Sequence, residues 1–136
     1  MAELEPIFEA LSETLATLPG MQVHTEPPGT VDAPAIAISP GAVTYDTSMD
    51  RDTDDVGFTL DLFLTDGGEG LRNLLGYLSG SGSNSIKATL EADPKLGGLV
   101  MDITVTNSEE PDRATVGVGE FIHVRFFGKM TVTGAT

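Results

Sequence analysis

Two histidines, an aspartate-rich segment and a glycine cluster are the residues of this chain whose types and spacing could do chemistry. Asp46-x-Ser48-x-Asp50 has the alternate oxygen donors with which a calcium loop opens. Such a loop needs glycine at its sixth position and a bidentate glutamate at its twelfth. Arg51 and Gly57 stand there instead, so the match fails at both diagnostic places. Gly67-Gly68-Glu69-Gly70 precedes a predicted helix, where backbone N–H groups could cradle a phosphate. It lacks the Lys-Ser/Thr of a P-loop and the spacing of the dinucleotide fingerprint, and it reads as a helix-capping turn. His24 and His123 lie far apart in sequence, each on a strand-like segment, and neither stands in a nucleophile context. A histidine so placed reads as a packed or surface residue before it reads as a metal ligand. The chain has no cysteine, hence no thiolate nucleophile, disulfide or Cys-based zinc site. Carboxylate pairs abound in any acidic chain, and nothing singles one out. These residues point away from an enzyme, a metal or a cofactor, and towards a protein that works by assembling with partners.

The charge balance narrows the partners. Seven Lys and Arg face 21 Asp and Glu, a net charge of −14 in 136 residues. Residues 1–66 hold 13 of the acids against Arg51 alone, while residues 67–136 hold 8 acids and 6 bases. Affinity for nucleic acid comes largely from cations that neutralise phosphates, so this chain is not expected to grip DNA or RNA. No stretch approaches the run of about 18 apolar residues that a membrane span needs. The N-terminus, MAELEPIFEA, is acidic where a signal peptide would be basic, and the protein is expected to be made and used without export.

The elements that must position any functional surface fit one domain over residues 1–136. Leu4, Phe8, Leu11, Leu15 and Leu18 recur at helical spacing and predict a helix over 3–18. Short strands are predicted at Met21–Thr25 and Ala35–Ser39, the second extended by Val43 and Tyr45. Asp46–Asp55 has no apolar period and reads as a loop or hairpin tip. Val56–Thr65 alternates cleanly and reads as a strand. Helices are predicted over 69–78, with Leu71, Leu74, Leu75 and Leu78 on one face, and from an Asn84 or Ser85 cap to Ala92, with Ile86 and Leu90 inward. Leu99, Met101, Ile103 and Val105 predict a strand, Asn107–Gly119 a loop. In the closing strand Ile122, Val124, Phe126, Met130 and Val132 take the inner face, leaving His123, Arg125, Phe127 and Lys129 outward. The order describes an α+β fold: a curved, mostly antiparallel, four- to five-stranded sheet with helices packed on one face.

Two features exceed what a plain domain needs. Asp46–Asp55 and Asn107–Gly119 are long polar connections for a compact chain. The outward face of the last strand sets Phe127 among charges, a mixed surface that suits a protein partner. His123, Arg125, Phe127 and Lys129, with Arg113 from the preceding connection, are the candidate subunit or partner contacts.

The whole pattern resembles the tail terminator proteins of long-tailed bacteriophages, particularly those of phages infecting actinobacteria. The resemblance covers roughly residues 4–132. It rests on the amphipathic first helix ending in LPG, the strand VGFTLDLFLTD, the stretch SGSGSNSIKATLEADPKLGGLVMDITVTN and the closing strand GEFIHVRFFGKMTVTG. It implies a virion protein, assembled in the host cytoplasm, at the head-proximal end of the tail. There a ring of identical subunits, a hexamer in the resembled family, caps the tube of major tail protein, ends its polymerisation and offers a surface to the head-closure or connector protein. DNA would cross the lumen without specific binding, and an acidic wall suits that passage because it repels phosphate. On this reading Asp46, Asp50, Asp52, Asp54 and Asp55 are candidate lumen or rim residues. Other head–tail joining proteins (neck, head-closure and tail-completion components) share this size and layout and stay open as alternatives, as does an unrelated acidic protein-binding domain.

Overall fold

A computed structural model describes residues 4–18, 20–24, 34–45, 53–65, 68–116 and 119–133. The chain runs α1 (Leu4–Leu15), β1 (Gln22–His24), β2 (Ala35–Thr44), β3 (Thr53–Thr65), α2 (Gly68–Leu78), α3 (Ile86–Glu91), a 3₁₀ turn (Leu96–Gly98), β4 (Asp102–Ser108), β5 (Asp112–Val116) and β6 (Gly119–Thr133). The fold is α+β, with helices against a mostly antiparallel open sheet. Among the described residues six strands fill five positions, in the order β1-β2-β3-β6 and then β4 with β5. Both β4 and β5 run antiparallel to β6, on successive stretches of its free side, so together they make one interrupted edge. Among the described residues only the β1–β2 pair is parallel.

The core follows from strand alternation. Val56, Phe58, Leu60, Leu62 and Leu64 of β3 lie beside Ile122, Val124, Phe126, Met130 and Val132 of β6, all buried. Ile7, Leu11 and Leu15 of α1 and Ile86 and Leu90 of α3 close over this face. The α1 stripe is set by Ile7 in addition to the predicted leucines, with Leu4 and Phe8 only partly covered. Ser85 caps α3 as expected: its hydroxyl accepts from the Ala88 N–H at 3.0 Å.

Four sequence expectations are corrected. Strand β3 begins at Thr53, so Asp54 and Asp55 belong to the sheet and not to a loop tip; pairing with β6 as far as Thr53↔Thr133 extends it. The connection 107–119 contains β5, held by its ladder with β6. Leu75 is 68 % exposed, and the face of α2 that packs inward carries Gly70, Leu74 and Tyr77. Gly70 explains this rotation: a Cβ there would fall far inside van der Waals contact with the Thr65 carbonyl oxygen. Only glycine lets α2 lie this close to the end of β3, so Gly70 answers to packing. Finally, Leu99 and Met101 are 42 % and 50 % exposed while Val100 is buried. The chain reaches β4 through Leu96, Gly97 and Gly98, all at positive φ, and this turn re-aims the residues that follow.

Candidate functional site

The three helices share one side of the sheet with the core, which leaves the other side to the alternate residues of β2, β3 and β6. Strand parity carries His123, Arg125, Phe127 and Lys129 onto this open side together. Arg125 and Lys129 are exposed and Phe127 is half-buried. Thr59 stands opposite Phe127, and Gly57 opposite Lys129. Arg113 does not join them. Its register partner is Ile122, so it points to the helix side of the sheet.

At the centre of the open face lies an ion cluster. The register sets Asp61 beside Arg125 and Asp112 beside His123. Asp61 Oδ1 accepts from Arg125 Nε at 2.8 Å and lies 2.7 Å from His123 Nε2. On the far side of the ring, His123 Nδ1 lies 2.8 Å from Asp112 Oδ1. Phe63 packs on the imidazole, with ring centroids 5.2 Å apart, and Phe121 meets Phe63 edge-on at 6.2 Å. Ala35 and Ala37, with no bulk to displace these rings, complete a small second apolar cluster.

The hydrogen bond to Asp61 does most to raise the His123 pKa; burial opposes it, and Asp112 adds to the rise. For Asp61, burial alone would raise the carboxyl, but the hydrogen bonds from His123 and Arg125 outweigh it and hold the group below the usual carboxylate range. Both ring nitrogens lie within hydrogen-bond reach of carboxylates, which favours the imidazolium and leaves neither nitrogen open to a substrate. The two carboxylates sit at opposite nitrogens and do not converge on one point. Among the described residues no group of three or more His, Asp or Glu side chains is arranged to hold a metal ion. What the arrangement does is clamp: one histidine ties β5 to β6 and, through Asp61, β6 to β3.

This clamp has a pH signature. The raised pKa of His123 makes its contribution full below the ordinary value of 6.5 and lost as pH rises through the folded value. The lowered pKa of Asp61 makes its contribution present above 3.8 and lost as pH falls through the folded value. The cluster therefore stabilises most between those limits. Melting temperature measured from pH 5 to 9 should fall through the upper limit in the native protein. In His123→Gln that step should vanish, leaving only the smooth background of the chain's other charges; an unchanged step would remove the clamp from the account.

The other expected site residues separate. Asp54 is 2 % exposed and faces the helix side opposite Val132, so it does not belong to a surface rim. Asp55 lies on the open face, where it accepts from the Thr131 hydroxyl at 3.2 Å. Asp46, Asp50, Asp52 and Arg51 lie outside the described residues. His24 stands on β1 in the row of Ala37 and Asp61, two strands from that carboxylate, and its buried Nε2 finds no partner among the described residues. Sequence reasoning missed Asp61 and Asp112. The available signal was a lone aspartate at an outward position of the strand VGFTLDLFLT, matched to the outward His123 and Arg125 of the last strand. Among the described residues no helix is long and apolar enough to cross a membrane. Comparison with protein-family models and with curated proteins gives no match.

Proposed function

We infer that this chain is a structural virion protein whose copies close into a ring on the end of a phage tail tube, stop the tube's growth and offer a surface for joining the head. The observation that carries this reading is the open face of the sheet. There Phe127 sits half-buried between the exposed cations Arg125 and Lys129 in a chain of net charge −14, and no described helix covers it. An apolar anchor rimmed by charge is the composition of a protein contact. The ion cluster beside it has its basic nitrogens engaged, so the face is better suited to binding than to proton transfer. Repetition of a contact between two different patches generates a ring when the rotation closes. The acidic excess suits a lumen through which DNA passes without being held. The likeness in sequence pattern to tail terminators supplies the particular place in the virion.

The test is native mass and negative-stain imaging over a concentration series, alone and with major tail tube protein. The expected outcome is one closed ring size, with the tube capped at a single end. A protein that stays monomeric at its solubility limit and leaves tube growth unaffected would sink the reading. A protein that joins only a connector would move it to the neck of the virion.

A further inference from the structure

A sheet edge exposes backbone N–H and C=O groups that can pair with a strand of another molecule, and natural proteins block such edges. Here β1, at three residues, is one edge; β4 and β5 form the other, along most of the free side of β6. Midway along β4 both backbone groups of Val105 are already taken from outside the sheet. The Val105 N–H donates to Glu91 Oε2 at 3.1 Å, and its carbonyl accepts from Lys87 Nζ at 3.1 Å. Lys87 and Glu91 are themselves paired at 2.5 Å, one turn apart on α3. In an antiparallel ladder each hydrogen-bonded residue gives its opposite number one acceptor and one donor. This ion pair offers Val105 the same two groups that an incoming strand would.

We propose that Lys87 and Glu91 stand in for the missing neighbour of β4 and prevent it from pairing with the edge of a second copy of this chain. The surrounding structure agrees on the same task. Ile86 and Leu90, fully buried, anchor α3 so that Lys87 and Glu91 reach the edge. The register shifts immediately after Val105, and a bulge spoils the regular edge a second strand would need. Further on, the edge breaks between Ser108 and Asp112, where Pro111 lacks a donor. The second copy is the relevant partner because every copy carries the same edge, and copies that gather on one assembly meet at high local concentration. Beside Val105 lies an open groove lined by Tyr77, Leu78 and Phe126, which would add apolar contact to any strand that arrived. The guard holds whether or not the copies form a ring.

Two double variants test the proposal, and neither alters the net charge. Lys87→Ala with Glu91→Ala removes both hydrogen-bonding groups. Lys87→Gln with Glu91→Gln keeps a donor, one atom shorter than lysine's, and an acceptor of unchanged reach. Amide exchange at Val105 and the mass distribution by light scattering are read against protein concentration, with far-UV circular dichroism reporting the fold. In the alanine pair the Val105 amide should exchange about tenfold faster or more, and β-rich high-mass species should accumulate with concentration. The glutamine pair should stay close to the native protein in both. An alanine pair that folds and gains no association overturns the proposal, as does one whose Val105 amide stays protected. Should the alanine pair fail to fold, Lys87→Ala alone leaves only the carbonyl uncovered. It should show the same association at higher concentration, and native behaviour there overturns the proposal equally.

Discussion

Truncating Phe58 to alanine should cost about 3–5 kcal/mol, a large share of the roughly 5–15 kcal/mol that holds a domain together. Phe58 is fully buried on β3 with Gly128 of β6 directly opposite, and its ring lies over that glycine. A Cβ at position 128 would come within 2.7 and 2.8 Å of the ring's Cε atoms and closer still to Cζ. Gly128→Ala alone is therefore expected to cost about 1–3 kcal/mol by overpacking, although alanine suits a strand better than glycine does. The two effects share one space and must not add. In a Phe58→Ala background the extra methyl enters the vacated volume, and Gly128→Ala should be neutral or stabilising. Denaturation midpoints for the two single variants and the double variant close the cycle. Additivity to within about 0.5 kcal/mol would mean that the ring does not rest on the glycine.

The second large effect concerns assembly and leaves folding alone. Phe127→Ser with Lys129→Glu removes the anchor of the open face and reverses its free cation. Association should weaken by about a hundredfold or more, the scale of losing a central aromatic contact. Lys129 makes no ion pair among the described residues, and Phe127 is only half-buried, so the melting temperature should change little. Arg72→Glu on the exposed side of α2 makes the same change of two charge units away from the face, and it should leave assembly near native. Sedimentation over a concentration series separates the two. Equal weakening by both variants would attribute the effect to total charge and remove the open face from the assembly account.

How far the fold could be read in advance depended on how much each element owes to its own residues. Long strands with one wet face carry their period in the chain: the inner and outer sets of β6 fell where alternation put them, and Ser85 capped α3 by its own side chain. β5 has no such signal. Asp-Arg-Ala-Thr-Val is extended because β6 pairs with it and because His123 ties Asp112 across. The inward face of α2 was misjudged for a similar reason. Leucine spacing favoured Leu75, but the close approach of Gly70 to Thr65 sets the roll of the helix, and that approach belongs to the packed structure. In the candidate site, the outward row of β6 was legible as a row. The clamp was not, since Asp61 and His123 are 62 positions apart and only the β3–β6 register joins them.

That register also orders events in time. β6 is the last of the six described strands, yet it lies between β3 and the β4–β5 edge and pairs with all three. While a ribosome is still adding residues 119–133, β3 has only β2 at its side, and β4 and β5 have no strand to lie against. Contacts that span so much sequence form slowly, because the chain must first be closed into a long loop. The nascent protein must therefore carry the apolar strand VGFTLDLFLT with one edge unsatisfied until residues 119–133 have been made. Chain that stalls or is cut before residue 119 should then collect as aggregate and leave no soluble fragment.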